Sequence, residues 1–197
     1  MKQAATIELF SYWDSLRAGL SRELLEADGP QVRTLLAGTF LIEVDERRAY
    51  PLRVIGSALG RLTANARLGA SFLECWEPQS RDLIESMLRV VHDERLPVVI
   101  GARLKNGEEV ATTAECLLLP LVTEPGGKPR ILGGAAPSGV MNRRGGRAPL
   151  EALSARAIRN PAEAPTLVRE RISPEITPFS FIEGPVAHLR VIEGGRA

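Results

Sequence analysis

The sequence predicts an α+β domain, and three observations carry the prediction. Apolar residues recur at strand spacing in two stretches, 39–55 and 98–137, and at helical spacing in the stretch between them. Asn106-Gly107, set between two of the later apolar runs, is the strongest short hairpin signal in the chain, because both central positions of a type I′ turn need positive φ. The resulting order, two strands, a helical middle and three strands, is neither a βαβ alternation nor a plain meander. It requires an antiparallel sheet with helices gathered on one face.

The first element is an amphipathic helix over residues 5–18, with Leu9, Trp13 and Leu16 at helical spacing, Phe10 and Tyr12 flanking them, and Gly19 as its stop. Pro30, Val32, Leu35 and Leu36 suit a short helix over 30–37. Two strand-like runs follow, 39–44 and 49–55, around the charged bend Asp45-Glu46-Arg47-Arg48, and Pro51 pushes the second toward a sheet edge. "EPQSRDLIESMLRVVHDERLP" opens on Pro78, spaces Leu83, Met87, Leu88 and Val91 by three and four, and stops before Pro97; it is the best helix in the chain. Strands are predicted over 98–104, 109–122 and 129–137, with "EPGGKP" turning the second into the third. After Pro137 the run "SGVMNRRGGRAP" has the texture of a linker, residues 149–159 fit a short helix, and "FIEGPVAHLRVIEGG" fits a late strand in a partly ordered tail. The expected organisation is therefore an N-terminal helical extension over 1–37, a domain over 38–137, and a linker with tail over 138–197.

Composition narrows the function classes. A chain of 197 residues, 44% hydrophobic, is long enough to bury a core, and a formal net charge of +1 supplies no field to draw it to nucleic acid or an anionic membrane. Cys75 and Cys116 both lie in apolar patterns, which fits a reducing compartment better than secretion. Glu8 and Asp14 interrupt the apolar run a signal peptide needs, and no stretch approaches the ~20 apolar residues of a membrane span. A cytoplasmic protein is expected.

Four pieces of the chain carry a resemblance: "LFSYWDSLRAG"; "LLAGTFLIEVD"; "VIGSALGRL" followed by "GASFLECW"; and "LLLPLV" followed by "RILGGAAP". In this order and at these distances, over roughly residues 8–137, they resemble the PAS domain, and most closely the alphaproteobacterial subfamily of small single-PAS proteins. The resemblance implies a five-stranded antiparallel sheet with helices on one face, enclosing a small apolar cavity. It also implies a regulatory protein, of a kind linked in part to motility and cell-cycle control, with no agreed cofactor.

Several side chains invite chemistry and argue against it. Glu108 and Glu109 sit at the hairpin bend, where hydration and the alternation of strand faces keep two carboxylates from converging on one substrate. His92 lies near the end of the long helix, where some PAS domains hold haem, but Asp93, Glu94 and Arg95 follow it directly and favour a solvated helix end. His188 has no second ligand type at metal spacing. Cys75 lacks the "NCRFLQ" type motif of flavin-binding PAS domains, and Cys116 alternates with Ala114 and Leu118 like a small core residue. The glycine runs lack phosphate-loop spacing, and Arg143, Arg144 and Arg147 have no interleaved aromatic residue for nucleic acid.

Two features remain. Ile55, Leu59, Phe72, Trp76, Met87, Ile100, Cys116, Leu118 and Ile131 are expected between sheet and helices, either as a filled core or around a small ligand such as haem or an apolar metabolite. Phe10, Trp13 and Leu16 form a stripe that covers the open sheet face of its own chain or pairs with the same helix of another copy. The expected protein is a non-enzymatic regulator, a homodimer that acts on a separate signalling protein.

Overall fold

The structure is a computed structural model, and it describes residues 1–17, 35, 37–45, 47–106, 109–121, 127–139 and 148–159. The chain divides into units 1–166 and 167–197, the second wholly outside the described residues. The first unit contains helix α1 (Ala4–Arg17), strands β1 (Thr39–Glu43) and β2 (Leu52–Val54), helix α2 (Ser57–Leu62), a 3₁₀ turn (Phe72–Cys75) and helix α3 (Pro78–Asp93). Strands β3 (Val98–Asn106), β4 (Glu109–Leu121), β5 (Arg130–Pro137) and β6 (Glu151–Ala157) follow. The expected α+β architecture is present, as one antiparallel sheet in the order β2-β1-β5-β4-β3-β6.

Among the described residues the sheet has six strands where the sequence suggested five, because residues 151–157 pair with the edge of β3 and do not form the expected helix. Alanine, leucine, glutamate and arginine favour a helix locally, but the unpaired N–H and C=O row of β3 is a ready template for another strand. Both ends of β6 are pinned. Leu150 N donates to Cys75 O at 2.7 Å and Leu150 O accepts from Glu77 N at 2.8 Å, while Ile158 N donates to Pro97 O at 2.7 Å. Ser80 Oγ accepts from Ala152 N at 3.0 Å, and Arg103 Nε donates to Glu151 Oε2 at 3.1 Å. The sheet thus runs past the boundary expected at Pro137.

The hairpin of β3 and β4 is present with a shifted bend. Asn106 and Glu109 are the last paired residues, so the connection is residues 107 and 108, not Asn106-Gly107, and both lie outside the described residues. The register shift after Leu104 moves the pairing along. β2 is shorter than the expected 49–55, since Arg48 and Tyr50 have φ of 52° and 53°, which strand geometry forbids, and Pro51 precedes the edge strand as expected. Pro120 is tolerated inside β4 because β3's pairing ends at Leu118.

α3 begins with Pro78 in its first turn and turns Ile84, Leu88 and Val91 into the core. Leu83, expected on that face, is exposed, and Ile84 takes its place. The 3₁₀ turn is closed by a capping box, with Leu73 N donating to Ser71 Oγ at 3.2 Å and Ser71 N to Glu74 Oε1 at 3.4 Å. Most of the helix expected over 30–37 lies outside the described residues, as do Arg143, Arg144, Arg147, His188 and the expected late strand.

Candidate functional site

The two sheet faces are covered by different layers. On one, α2, the 3₁₀ turn and α3 enclose a core with Phe40, Ile42, Tyr50, Leu52 and the alternating inward residues of β3, β4 and β5. Phe72 is its centre: it stacks on Phe40 with ring centroids 5.3 Å apart and meets Trp76 edge-on at 5.8 Å. Phe40 lies over Gly133, where a β-carbon would collide with its ring, so glycine at that position is what lets the aromatic group sit flat on the sheet.

All nine residues expected between sheet and helices meet in this core. Leu59, Phe72, Trp76, Ile100, Cys116, Leu118 and Ile131 are buried in it, and Ile55 and Met87 pack against its rim. Phe40, Tyr50 and Leu150 belong with them. Periodicity had no way to find Leu150, which arrives with β6, or Tyr50, whose backbone is irregular.

Among the described residues, Trp76 Nε1 in this core has no hydrogen-bond partner, and Tyr50 Oη makes no geometric hydrogen bond although the guanidinium groups of Arg48 and Arg89 act on it. Each residue is fully buried. An N–H or O–H stripped of water without a replacement partner costs about 1–3 kcal/mol, so such atoms mark places where water or a ligand has something to bond. Burial raises the Tyr50 phenol pKa, with Arg48 and Arg89 acting against it and Glu85 with it. Burial pushes the Cys75 and Cys116 thiols up to about 12, so both remain protonated at neutral pH and neither supplies a thiolate. His92 turns to the solvent end of α3, with Nδ1 2.6 Å from Asp93 Oδ1, and Asp93 in turn meets Arg48 at 3.2 Å. The pKa of Asp93 is lowered by His92 first and Arg48 second.

The opposite face is covered by α1. Ile7, Leu9, Phe10 and Trp13 pack with Met1 on Val99, Leu117, Leu119 and Ile158. Within the chain, Phe10 and Trp13 lie on its own sheet; the Leu16 side chain lies outside the described residues. Phe10 and Trp13 touch with centroids 5.7 Å apart. Leu9 occupies the space above Gly134, where a β-carbon would collide with it.

Polar contacts fix the two ends of this helix. At its start, Glu115 of β4 accepts from Lys2 N at 2.8 Å, from Gln3 N at 3.3 Å and from the Thr6 hydroxyl, placing a carboxylate at the positive end of the helix dipole. Further along, Trp13 Nε1 donates to Pro120 O at 2.8 Å. At the β1 corner of the same face, Glu43 is buried between Arg53 Nη2 at 2.9 Å and Lys128 Nζ at 3.0 Å, and these two cations, Arg53 first, lower its carboxyl pKa to about 2.

A family profile described as PAS domain matches residues 1–136 of this chain. The chain belongs to the PAS domain family. No curated protein and no solved structure matches it. The PAS segment takes in α1 and the first five strands, so β6 lies beyond the matched residues while completing the sheet. A sensory or signalling role goes with the family in general. Among the described residues, no helix is long and apolar enough to cross a membrane, and no three His, Cys, Asp or Glu side chains are grouped to hold a metal ion.

Proposed function

We propose that this PAS protein is a non-enzymatic regulator that passes a signal by binding a separate signalling protein, through a change in how α1 lies on the sheet. The observation that carries the reading is the separate α1 layer, joined to the rest by side-chain packing and by polar contacts near its two ends, with no strand pairing to the sheet. The proposed signal is a shift between this seated arrangement and a second one that a ligand or partner favours. α1 covers the apolar face of the sheet, and the proposed pairing of two copies runs through α1 itself. The proposed active form is a homodimer formed in this way. Its proposed setting, carried over from the resemblance to alphaproteobacterial single-PAS proteins, is motility or cell-cycle control in a bacterial cytoplasm. The test is light scattering at tens of micromolar on the full chain and on a chain lacking residues 1–19. The full chain is expected as a dimer and the shortened one as a folded monomer; a shortened chain that still self-associates refutes the assignment of α1.

Trp76 Nε1 favours a second reading, in which the helix-side core admits a small, mostly apolar ligand bearing a hydrogen-bond acceptor. Haem is one candidate and an apolar metabolite another. Native mass spectrometry of gently purified protein is expected to show a retained small molecule, lost in Trp76→Phe. Mass equal to the bare chain after cofactor-supplemented expression counts against it.

A further inference from the structure

We infer that β6 couples the two layers: its start is anchored in the helix-side core and its end is covered by α1, so that loosening α1 frees the far end of β6 while the near end stays in place. This deepens the α1 reading above, on which it rests, by naming the element that carries the change onward. Leu150, just before β6, is fully buried in the helix-side core with Phe72 and Trp76, and its N–H and C=O are held by the backbone of Cys75 and Glu77. Ile158, just after β6, belongs to the other cluster and is buried with Phe10, Trp13, Val99, Leu117 and Leu119. A strand of seven residues thus runs from one core to the other.

The pairing of β6 with β3 divides at one place. Glu151 and Ala152 pair with Arg103 and Ala102, residues 154–157 pair with residues 98–101, and Leu153 between them is an extra, exposed residue that pairs with nothing on β3. A bulge of this kind breaks the ladder locally, so one half of the strand can loosen without the other. The half before it is held by Ser80 Oγ of α3, which accepts from Ala152 N, and by Arg103 on Glu151. The half after it ends on the bond from Ile158 N to Pro97 O. The last β3–β4 pair is Val98 with Leu118, which puts Pro97 at the same end of the sheet as Pro120, whose carbonyl takes the Trp13 indole. When α1 lifts, Ile158 loses its cover, and releasing this half then costs less because that apolar side chain has less burial left to lose. The coupling is mutual: what α1 contributes to the end of β6, Ile158 contributes to the seating of α1. The chain continues from the coupled end through Arg159, which is exposed, so the residues that follow are the ones a change at α1 reaches.

The experiment follows two amides of the full chain by NMR hydrogen exchange: Ile158, bonded to Pro97 O, and Leu150, bonded to Cys75 O, both at 2.7 Å. Leu9→Ala loosens α1 from a distance, since Leu9 lies over Gly134 of β5, and β4 and β3 stand between β5 and β6. An effect at Ile158 with the β4 amides unchanged therefore travels through α1. Exchange over residues 4–17 and at Ile158 is expected to speed up about tenfold, with Leu150 and residues 115–119 unchanged. In reverse, Ile158→Ala is expected to speed exchange over residues 4–17. Trp13→Phe, which removes the bond to Pro120 O and keeps an aromatic ring, takes over if Leu9→Ala does not fold. Faster exchange over 4–17 with Ile158 unchanged overturns the coupling and leaves α1 as a separate layer. Equal acceleration everywhere, Leu150 and β4 included, or none over 4–17, means that α1 does not move apart from the sheet and overturns both readings.

Discussion

The two faces of one sheet are closed in different ways. The helix-side face is sealed by three elements continuous with the strands, around an interlocked set of aromatic rings, Phe40, Phe72 and Trp76. The α1 side is a single helix lying on a mostly aliphatic surface, aligned by a carboxylate at its start and an indole-to-carbonyl bond further along. The first arrangement cannot be opened without unfolding the domain. The second is joined by side-chain packing and hydrogen bonds with no strand pairing, which on the proposed reading lets it lift without unfolding the sheet. The difference separates a part that specifies the fold from the part to which the signalling change is proposed.

The largest expected effect lies on the helix side. Trp76→Ala is expected to lower global stability by about 3–5 kcal/mol, measured by urea unfolding, as for other fully buried large aromatic residues. A loss below about 1 kcal/mol would mean that Trp76 borders space instead of filling it, and would strengthen the ligand reading. Next comes Leu9→Ala, expected to cost about 2–3 kcal/mol of the attachment of α1. Hydrogen exchange should show lost protection over residues 4–17 with residues 84–91 unchanged; equal losses in both would abolish the distinction between the faces.

The smallest effect is set by acid. The carboxyl pKa of Glu43 is depressed to about 2 in the folded chain, from an ordinary 4.5, so its contribution is complete above about 4.5 and is lost as pH falls from there toward 2. Glu43→Gln should flatten that part of the stability profile, measured by thermal melts between pH 5 and pH 2. An unchanged acid profile would remove Glu43, Arg53 and Lys128 from the forces holding this corner.

How much of this was legible depended on how local the signal was. α3 and the β3–β4 hairpin could be read because helical spacing and strand alternation are properties of neighbouring residues, and the nine inward residues followed from them. β6 could not, since Glu151–Ala157 is rich in residues that favour a helix, and its strand form exists only because β3 has a free edge distant in sequence. The placement of α1 was half legible: a stripe of Phe10 and Trp13 says that something apolar is covered, not which copy supplies the cover. Tyr50 was hidden by its left-handed backbone, and Leu83 was chosen over Ile84 because both fit the same spacing.

The attachment of β6 also has a mechanical side. Load transmitted from residues beyond Ile158 meets the Ile158-to-Pro97 bond first, then the Ala157 and Val98 pair, and travels toward Glu151 and Arg103. A strand held by its outer margin opens in sequence like a zip, each pair bearing the strain alone, whereas sideways shear would engage all its pairs together. Tugging on the tail would therefore peel β6 away and bare the rim of β3 well before the aromatic interior gave way.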